Sequence, residues 1–194
     1  MKKFQIFLDM DDTLLDTTKY LVEWHKVAWP YDDPKNCGHR DNSEVLGLTW
    51  QQCWGNLPVE FWESIPKAPW ADDVIKLCEN EATGAVYLLT SPIPNGICAH
   101  GKTLWVNQHM PKYKNKLIIA HKKFAVVDQY SLLIDDSYLN EEKFEIAGKR
   151  DNFLLFPSYM NRCYTMMNDM YKDSELAKMM ISNKIDELKN KINL

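Results

Sequence analysis

The stretch FQIFLDMDDTLLDT, residues 4–17, gives the clearest indication of the fold of this chain. Its apolar run over residues 4–8 ends directly in three carboxylates, Asp9, Asp11 and Asp12. A short continuous apolar run is typical of a strand buried on both faces, as in a parallel sheet. Asp9 and Asp11 alternate by two, so in an extended chain their side chains project the same way. Charge placed against the end of a buried strand indicates a functional edge of the sheet.

Further apolar runs predict the rest of that sheet, at residues 85–89, 117–120, 132–134 and 153–156. Helical patterns lie between them, at 71–81 and at 98–109, where Gly101 weakens the second pattern. Strands that alternate with helices predict an α/β fold with a doubly wound, Rossmann-like parallel sheet flanked by helices. In such sheets the functional crevice lies at the carboxyl ends of the strands.

Residues 18–70 do not follow the alternation. They hold six of the seven tryptophans and carry helical stretches at about 18–28 and 43–54. We predict a small helical cap inserted after the first strand. The predicted division is a core domain of residues 1–17 and 71–194 and a cap subdomain of residues 18–70. The tail is an amphipathic helix with Ser174 as N-cap candidate, which we expect to cover the sheet; a partner-binding helix is the alternative.

Composition narrows the class of protein. The 194 residues are 45% hydrophobic and 26% charged, enough for one folded core. The net charge of −4 disfavours a nucleic acid as partner but allows small anionic substrates. Five scattered cysteines without C-x-x-C spacing predict free thiols in a reducing compartment. With no apolar run of membrane-spanning length and no room for a signal peptide, we expect a cytoplasmic protein with no membrane partner.

More polar clusters follow the other predicted strands. Asp135 and Asp136 end the run SLLIDD, so they should converge with Asp9 and Asp11 at one edge of the sheet. Oxygen-only ligands of this kind suit Mg²⁺. Thr90 and Ser91 follow the run VYLL, and Lys122 and Lys123 follow IIAH. Carboxylates, hydroxyls and a lysine at one edge favour a phosphoryl-transfer site.

FLDMDDTL, YLLTSP, Lys123 and LLIDD, in this order, resemble the four motifs of the haloacid-dehalogenase-like phosphatases over about residues 4–157. Within that superfamily the chain is most similar to the 5′(3′)-deoxyribonucleotidases. Their opening motif resembles DMDDTLLDT, and a later motif resembles TSPI at residues 90–93. The segment in which their chain returns from cap to core resembles EFWESIPKAPWADDVI at residues 60–75. The resemblance implies a Mg²⁺-dependent phosphomonoesterase that dephosphorylates (deoxy)nucleoside monophosphates.

The resemblance also implies residue roles. Asp9 would attack phosphorus and form an aspartyl-phosphate, and Asp11 would protonate the leaving oxygen and later activate water. Thr90, with Ser91, would hold the phosphate beside a lysine, for which Lys123 fits better than Lys122. The implied metal ligands are Asp9, Asp11 through its backbone carbonyl, and Asp136, with Asp135 supporting.

The chain departs from the nucleotidase pattern at two places. Asp12 stands where glycine is usual, and Pro94 stands where a basic residue often lies near the phosphate. Lys102 or His100 are the candidates to replace that basic residue.

The cap aromatics offer a substrate pocket, for which we select Trp50, Trp54, Phe61 and Trp62. Stacking of a base on such a ring is worth roughly 1–3 kcal/mol, but a small helical insertion also needs bulky residues for its own core.

Other phosphate substrates stay open, namely a sugar phosphate or a nucleic-acid 3′-phosphate, as does a catalytically inactive binding module on the same fold. The oligomeric state is open, a homodimer being one alternative.

Overall fold

Five parallel strands form one sheet in this computed structural model, which describes residues 2–39 and 41–193. The strands are β1 (Gln5–Leu8), β2 (Val86–Thr90), β3 (Leu117–Ile119), β4 (Ser131–Asp135) and β5 (Phe153–Leu155). Their order across the sheet is β3-β2-β1-β4-β5, and every neighbouring pair is parallel. The α/β class predicted from the sequence is confirmed, and each strand lies within two residues of its predicted bounds.

Helices flank the sheet and fill the connection between β1 and β2. The helices are α1 (Thr17–Trp24), α2 (Asn42–Leu46), α3 (Val59–Ser64), α4 (Ala71–Glu81), α5 (Ile97–His109), α6 (Tyr138–Ile146), α7 (Met167–Lys172) and α8 (Glu175–Ile192). Across the two described ranges, none of them is both long and apolar enough to cross a bilayer.

The central strand β1 supplies both faces of the core. Ile6 and Leu8 are fully buried in the larger apolar cluster, while Phe7 points to the opposite face and packs in a smaller one. Leu8 is in register with Leu88 on β2 and with Ile134 on β4. The residues that follow these three strands therefore meet at one edge.

The C-terminal helix α8 covers one face of the sheet. Its buried residues recur at helical spacing, at Ala177, Ile181, Ile185 and Leu188, and belong to the same cluster as Leu8. Ser174 occupies the N-cap position, but its hydroxyl donates to Asp73 at 2.5 Å and makes no capping bond. The tail is thus a covering helix, without the predicted side-chain cap.

The segment predicted as a cap contains α1, α2 and α3, with shorter helices than expected. The first ends at Trp24. The second predicted stretch is broken because Gly47, at φ 65°, ends α2 in the left-handed region. A π-helical turn, Gln51–Gly55, follows. The division of the chain into core and cap domains stays a prediction.

Helices α3 and α5 approach each other closely at Gly101. A Cβ at this position would lie 2.4 Å from Cβ of Trp62 and 3.0 Å from the carbonyl oxygen of Val59. The glycine that weakened the helix prediction is therefore what lets α3 pack against α5.

Candidate active site

The loop after β1 is shaped by its own backbone. The N–H of Asp9 donates to the carbonyl of Ile134 at 2.9 Å, which holds Asp9 beside β4. The carbonyl of Met10 accepts from the N–H groups of Leu14 and Leu15 at 2.9 and 2.8 Å, so the chain turns back at once. The acidic side chains of this loop are therefore fixed at the carboxyl end of the sheet.

Three carboxylates from two strand ends meet at this edge. Asp9, Asp135 and Asp136 each offer an oxygen within 4.8 Å of the others. Burial raises the pKa of Asp9 to about 7 against the opposing effect of Lys123. Burial, together with the charges of Asp12 and Asp135, raises the pKa of Asp136 well above its usual value. When carboxylates are buried together in this way, a cation between them stabilises their charged forms.

Lys123 is one buried cation at the cluster. It begins a short 3₁₀ turn after β3 and is 2% exposed. Its Nζ lies 2.5 Å from Oδ1 of Asp9 and donates to Oδ2 of Asp135 at 2.7 Å. Burial alone would lower the pKa of Lys123, but Asp135 and Asp9 raise it. The neighbouring Lys122 is exposed, so the structure brings Lys123, not Lys122, to the site.

Asp135 is held by more than this lysine. Its Oδ1 accepts from the N–H of Ser137 at 2.8 Å, and Nδ2 of Asn140 donates to both of its oxygens, at 3.3 and 3.1 Å. With its oxygens occupied in this way, Asp135 orients the cluster, while Asp136 borders the adjoining cavity.

Lys102 is a second buried cation at the site. The sequence indicated it only as one of two candidates to replace the basic residue that is missing near the phosphate. Its Nζ donates to a carboxylate oxygen of Asp11, to Oγ1 of Thr90 at 2.7 Å and to the carbonyl of Ser91 at 3.2 Å. The signal in the sequence is its place on α5, on a buried face with Cys98, Gly101, Trp105 and Val106. A lysine on such a face needs a partner inside the protein. The other candidate, His100, is exposed.

The hydroxyls after β2 have different partners. Thr90 is fully buried and its Oγ1 accepts from Lys102. Ser91 borders the cavity, and its Oγ donates to the carbonyl of Ala120 at 3.1 Å. Both residues lie at the same sheet edge as the carboxylates, with Thr90 beside Lys102.

Asp12 occupies the position at which glycine is usual in the first motif. Its backbone has φ 49°, in the left-handed region that glycine adopts freely and that aspartate tolerates. The side chain accepts from the N–H of Thr18 at 2.7 Å and from its hydroxyl at 2.5 Å. Burial raises the pKa of Asp12 to about 7. The aspartate therefore adopts the backbone conformation expected of glycine and joins the loop to α1.

A cavity of about 320 Å³ opens beside the cluster. It is bordered by Asp11, Asp136 and Lys102 and by the aromatic side chains of Trp50, Trp54 and Trp62. Trp54 and Trp62 lie nearly parallel, with ring centroids 6.2 Å apart. Trp50 precedes the π-helical turn Gln51–Gly55 and Trp54 lies within it, and both border the cavity.

The structure corrects the prediction for Phe61. This side chain is fully buried and does not border the cavity. Its ring packs against Tyr20 and Trp24, with centroids 5.2 and 5.4 Å apart. Phe61 and Trp62 are neighbours on α3 with ring centroids 5.0 Å apart, and of the two only Trp62 borders the cavity.

Comparison with models of protein families found no match, and comparison with curated proteins found none either. Among solved structures the chain is similar to a hydrolase from Streptococcus pneumoniae TIGR4, with a TM-score of 0.46 and 16% sequence identity. The alignment covers 86% of this chain and 99% of that one. Functional inference therefore rests on the geometry of the site.

Proposed function

We propose that the chain is a haloacid-dehalogenase-like phosphatase that hydrolyses phosphate monoesters, with (deoxy)nucleoside monophosphates as substrates. The observation that carries the proposal is the meeting of Asp9, Asp135 and Asp136 within 4.8 Å, next to the buried cation Lys123. A nucleophile, a metal-binding cluster and positive charge are the components that phosphoryl transfer requires.

The donor set fits Mg²⁺. All three residues of the cluster offer oxygen, and burial raises the pKa values of Asp9 and Asp136, so a bound cation would stabilise their charged forms. Asp9 and Asp136 would hold the ion with the backbone carbonyl of Asp11, and Asp135 would support them. When bound, Mg²⁺ neutralises charge on the phosphoryl oxygens.

Asp9 is the proposed nucleophile. One of its carboxylate oxygens would form a bond to phosphorus while the bond from phosphorus to the ester oxygen breaks, which gives an aspartyl-phosphate. Lys123 contacts Oδ1 of Asp9 and keeps the carboxylate oriented. Lys102 and Thr90 lie together at this edge, where the charge of Lys102 would stabilise the phosphoryl oxygens, and Ser91 borders the same cavity.

Asp11 is the proposed acid and base. It is half-buried at the border of the cavity and also accepts from the hydroxyl of Thr17 at 3.1 Å. Its carboxyl proton would pass to the leaving ester oxygen. The resulting carboxylate would then take a proton from water as that water attacks phosphorus, which releases inorganic phosphate and restores Asp9.

The leaving group would occupy the cavity between Trp50, Trp54 and Trp62. Trp50, which is 44% exposed, and the partly exposed Trp54 offer flat apolar surface for a nucleobase, while the buried Trp62 packs against Trp54. This surface supports a nucleotide over a small sugar phosphate.

Release of inorganic phosphate from a panel of esters tests the proposal. The panel contains deoxynucleoside 5′- and 3′-monophosphates, hexose phosphates and a 3′-phosphorylated oligonucleotide, each assayed with Mg²⁺, with EDTA, and with Mg²⁺ restored. We expect turnover of mononucleotides that EDTA abolishes and Mg²⁺ restores. Preference for a hexose phosphate or the oligonucleotide would overturn the substrate assignment, and activity that is indifferent to EDTA would overturn the metal.

A further inference from the structure

We infer that Asp41 selects the leaving group by accepting a hydrogen bond from an amino group on it. This inference rests on the proposed phosphatase function and names the substrate class within it. The substrate would be a phosphate ester of a flat aromatic group that carries an exocyclic amino group, such as an aminated nucleobase.

Asp41 borders the same cavity as Asp11, Asp136 and Lys102. It stands at the N-cap position of α2, where its Oδ1 accepts from the N–H of Ser43 at 3.0 Å. The same oxygen accepts from Nε1 of Trp54 at 2.8 Å. Both bonds end on Oδ1, which fixes the carboxylate and leaves the lone pairs of Oδ2 outside them.

Several other polar side chains that border the cavity already form hydrogen bonds within the protein. Asn42 donates to the hydroxyl of Thr18 and accepts from the hydroxyl of Tyr31. Ser91 donates to a backbone carbonyl, and the hydroxyl of Ser137 accepts from a backbone N–H. Among the carboxylates of the described residues that border the cavity, Asp12 accepts from Thr18 with both oxygens, and Asp11 and Asp136 have proposed roles in proton transfer and metal binding. Asp41 keeps Oδ2 as an acceptor for a ligand.

Lys102 and Asp41 border the same cavity from different elements, α5 and the N-cap of α2. Lys102 contacts Asp11 and Thr90, where the phosphate is proposed to bind. Asp41 contacts Trp54 in the cap segment, and its negative charge would repel a phosphate. A substrate with its phosphate beside Lys102 would turn a part of its leaving group, rather than its phosphate, toward Asp41.

The chemistry of that part of the leaving group follows from the residues around it. Trp50 and Trp54 provide flat apolar surface, and a carboxylate accepts hydrogen bonds but cannot donate them. An aromatic group with an amino donor on its edge satisfies both conditions. A group that presents only acceptors, or a second anion, would leave the carboxylate unpaired or repelled.

The test uses substrate pairs that differ by the amino group alone. Deoxycytidine 5′-monophosphate is compared with the 5′-monophosphate of its 4-desamino analogue, and deoxyadenosine 5′-monophosphate with that of purine deoxyriboside. The variant is Asp41→Asn, since asparagine keeps an N-cap oxygen for Ser43 and Trp54 but places an amide N–H₂ where Oδ2 was. Asp33→Asn is the matched control, because Asp33 caps the turn Pro34–Asn36 in the same segment, is exposed and does not border the cavity.

We expect the wild-type protein to favour the amino member of at least one pair by about tenfold or more in kcat/KM, the usual worth of a hydrogen bond to a charged group. Asp41→Asn should bring that ratio close to one with an unchanged melting temperature, and Asp33→Asn should keep it. Equal wild-type rates within both pairs, or an unchanged ratio in Asp41→Asn, would overturn the inference.

Hydrolysis of p-nitrophenyl phosphate with Mg²⁺, measured on the same samples, distinguishes a failure of the inference about Asp41 from a failure of the proposed phosphatase function. If this ester is hydrolysed while the amino ratio is one, the inference about Asp41 fails and the phosphatase function stands. If no ester is hydrolysed, both fail.

Discussion

Lys102 stands on a helix face whose other buried members include Cys98, Gly101 and Trp105. A buried ammonium is costly unless it is paired, and here Asp11 and Thr90 receive its hydrogen bonds. Sequence alone offered this position only as a substitute for a missing basic residue. The contact with Asp11 spans 91 positions and depends on where α5 packs.

The first prediction concerns this lysine. Lys102→Met keeps the length of the side chain but removes the charge beside the proposed phosphate position. We expect kcat/KM toward p-nitrophenyl phosphate to fall by at least about tenfold, in line with roughly 1.5–3 kcal/mol for a charged hydrogen bond. His100→Ala, at an exposed site on the same helix, should keep wild-type activity. Equal activity of Lys102→Met and wild type would contradict the role of Lys102.

The second prediction concerns the backbone at Asp12. Alanine and glycine there both lose the bonds to Thr18, but only glycine adopts φ 49° freely. Asp12→Ala should therefore be less stable than Asp12→Gly by about 1 kcal/mol in the free energy of unfolding, measured in urea. Equal stability of the two variants would show that the left-handed conformation is not required.

At the scale of elements, the packing of α3 against α5 places Trp62 at the cavity. Gly101→Ala would raise helix propensity by about 1 kcal/mol at an open site. Here the added Cβ would lie 2.4 Å from Cβ of Trp62, so we expect a net loss of about 1–3 kcal/mol and a lower melting temperature. Thr103→Ala, on the exposed side of α5, should change stability by less than about 0.5 kcal/mol. A more stable Gly101→Ala would contradict the close packing.

The strands could be predicted from the sequence because each is a short apolar run, closed by polar residues or, after the fifth run, by Pro157. The same runs located Asp9, Asp135 and Asp136, since carboxyl ends of parallel strands meet at one edge. The cap was harder to predict. Whether Phe61 or Trp62 reaches the cavity depends on how α3 rotates against α5, and the π-helical turn Gln51–Gly55 has no pattern of its own in the sequence.

At the scale of the whole molecule, a cation bound at the cluster of the sheet edge should stabilise the folded protein. Burial raises the pKa values of Asp9 and Asp136, so their charged forms are less stable in the folded protein than in water. A cation that binds only the folded state adds about 2.7 kcal/mol when its concentration is 100 times Kd.

We therefore expect Mg²⁺ to raise the melting temperature of the wild-type protein and to have much less effect on Asp136→Asn. Differential scanning fluorimetry at constant ionic strength, with NaCl as the control salt, measures both. An equal rise in the two proteins would place the ion elsewhere.

Turnover by Asp9→Asn shows whether Asp9 attacks phosphorus at this sheet edge. The variant keeps the shape of the side chain and removes the nucleophilic carboxylate. With Mg²⁺ and p-nitrophenyl phosphate, we expect hydrolysis by the variant to fall to background while its circular dichroism matches wild type. A folded Asp9→Asn that hydrolyses the ester at the wild-type rate would contradict the account.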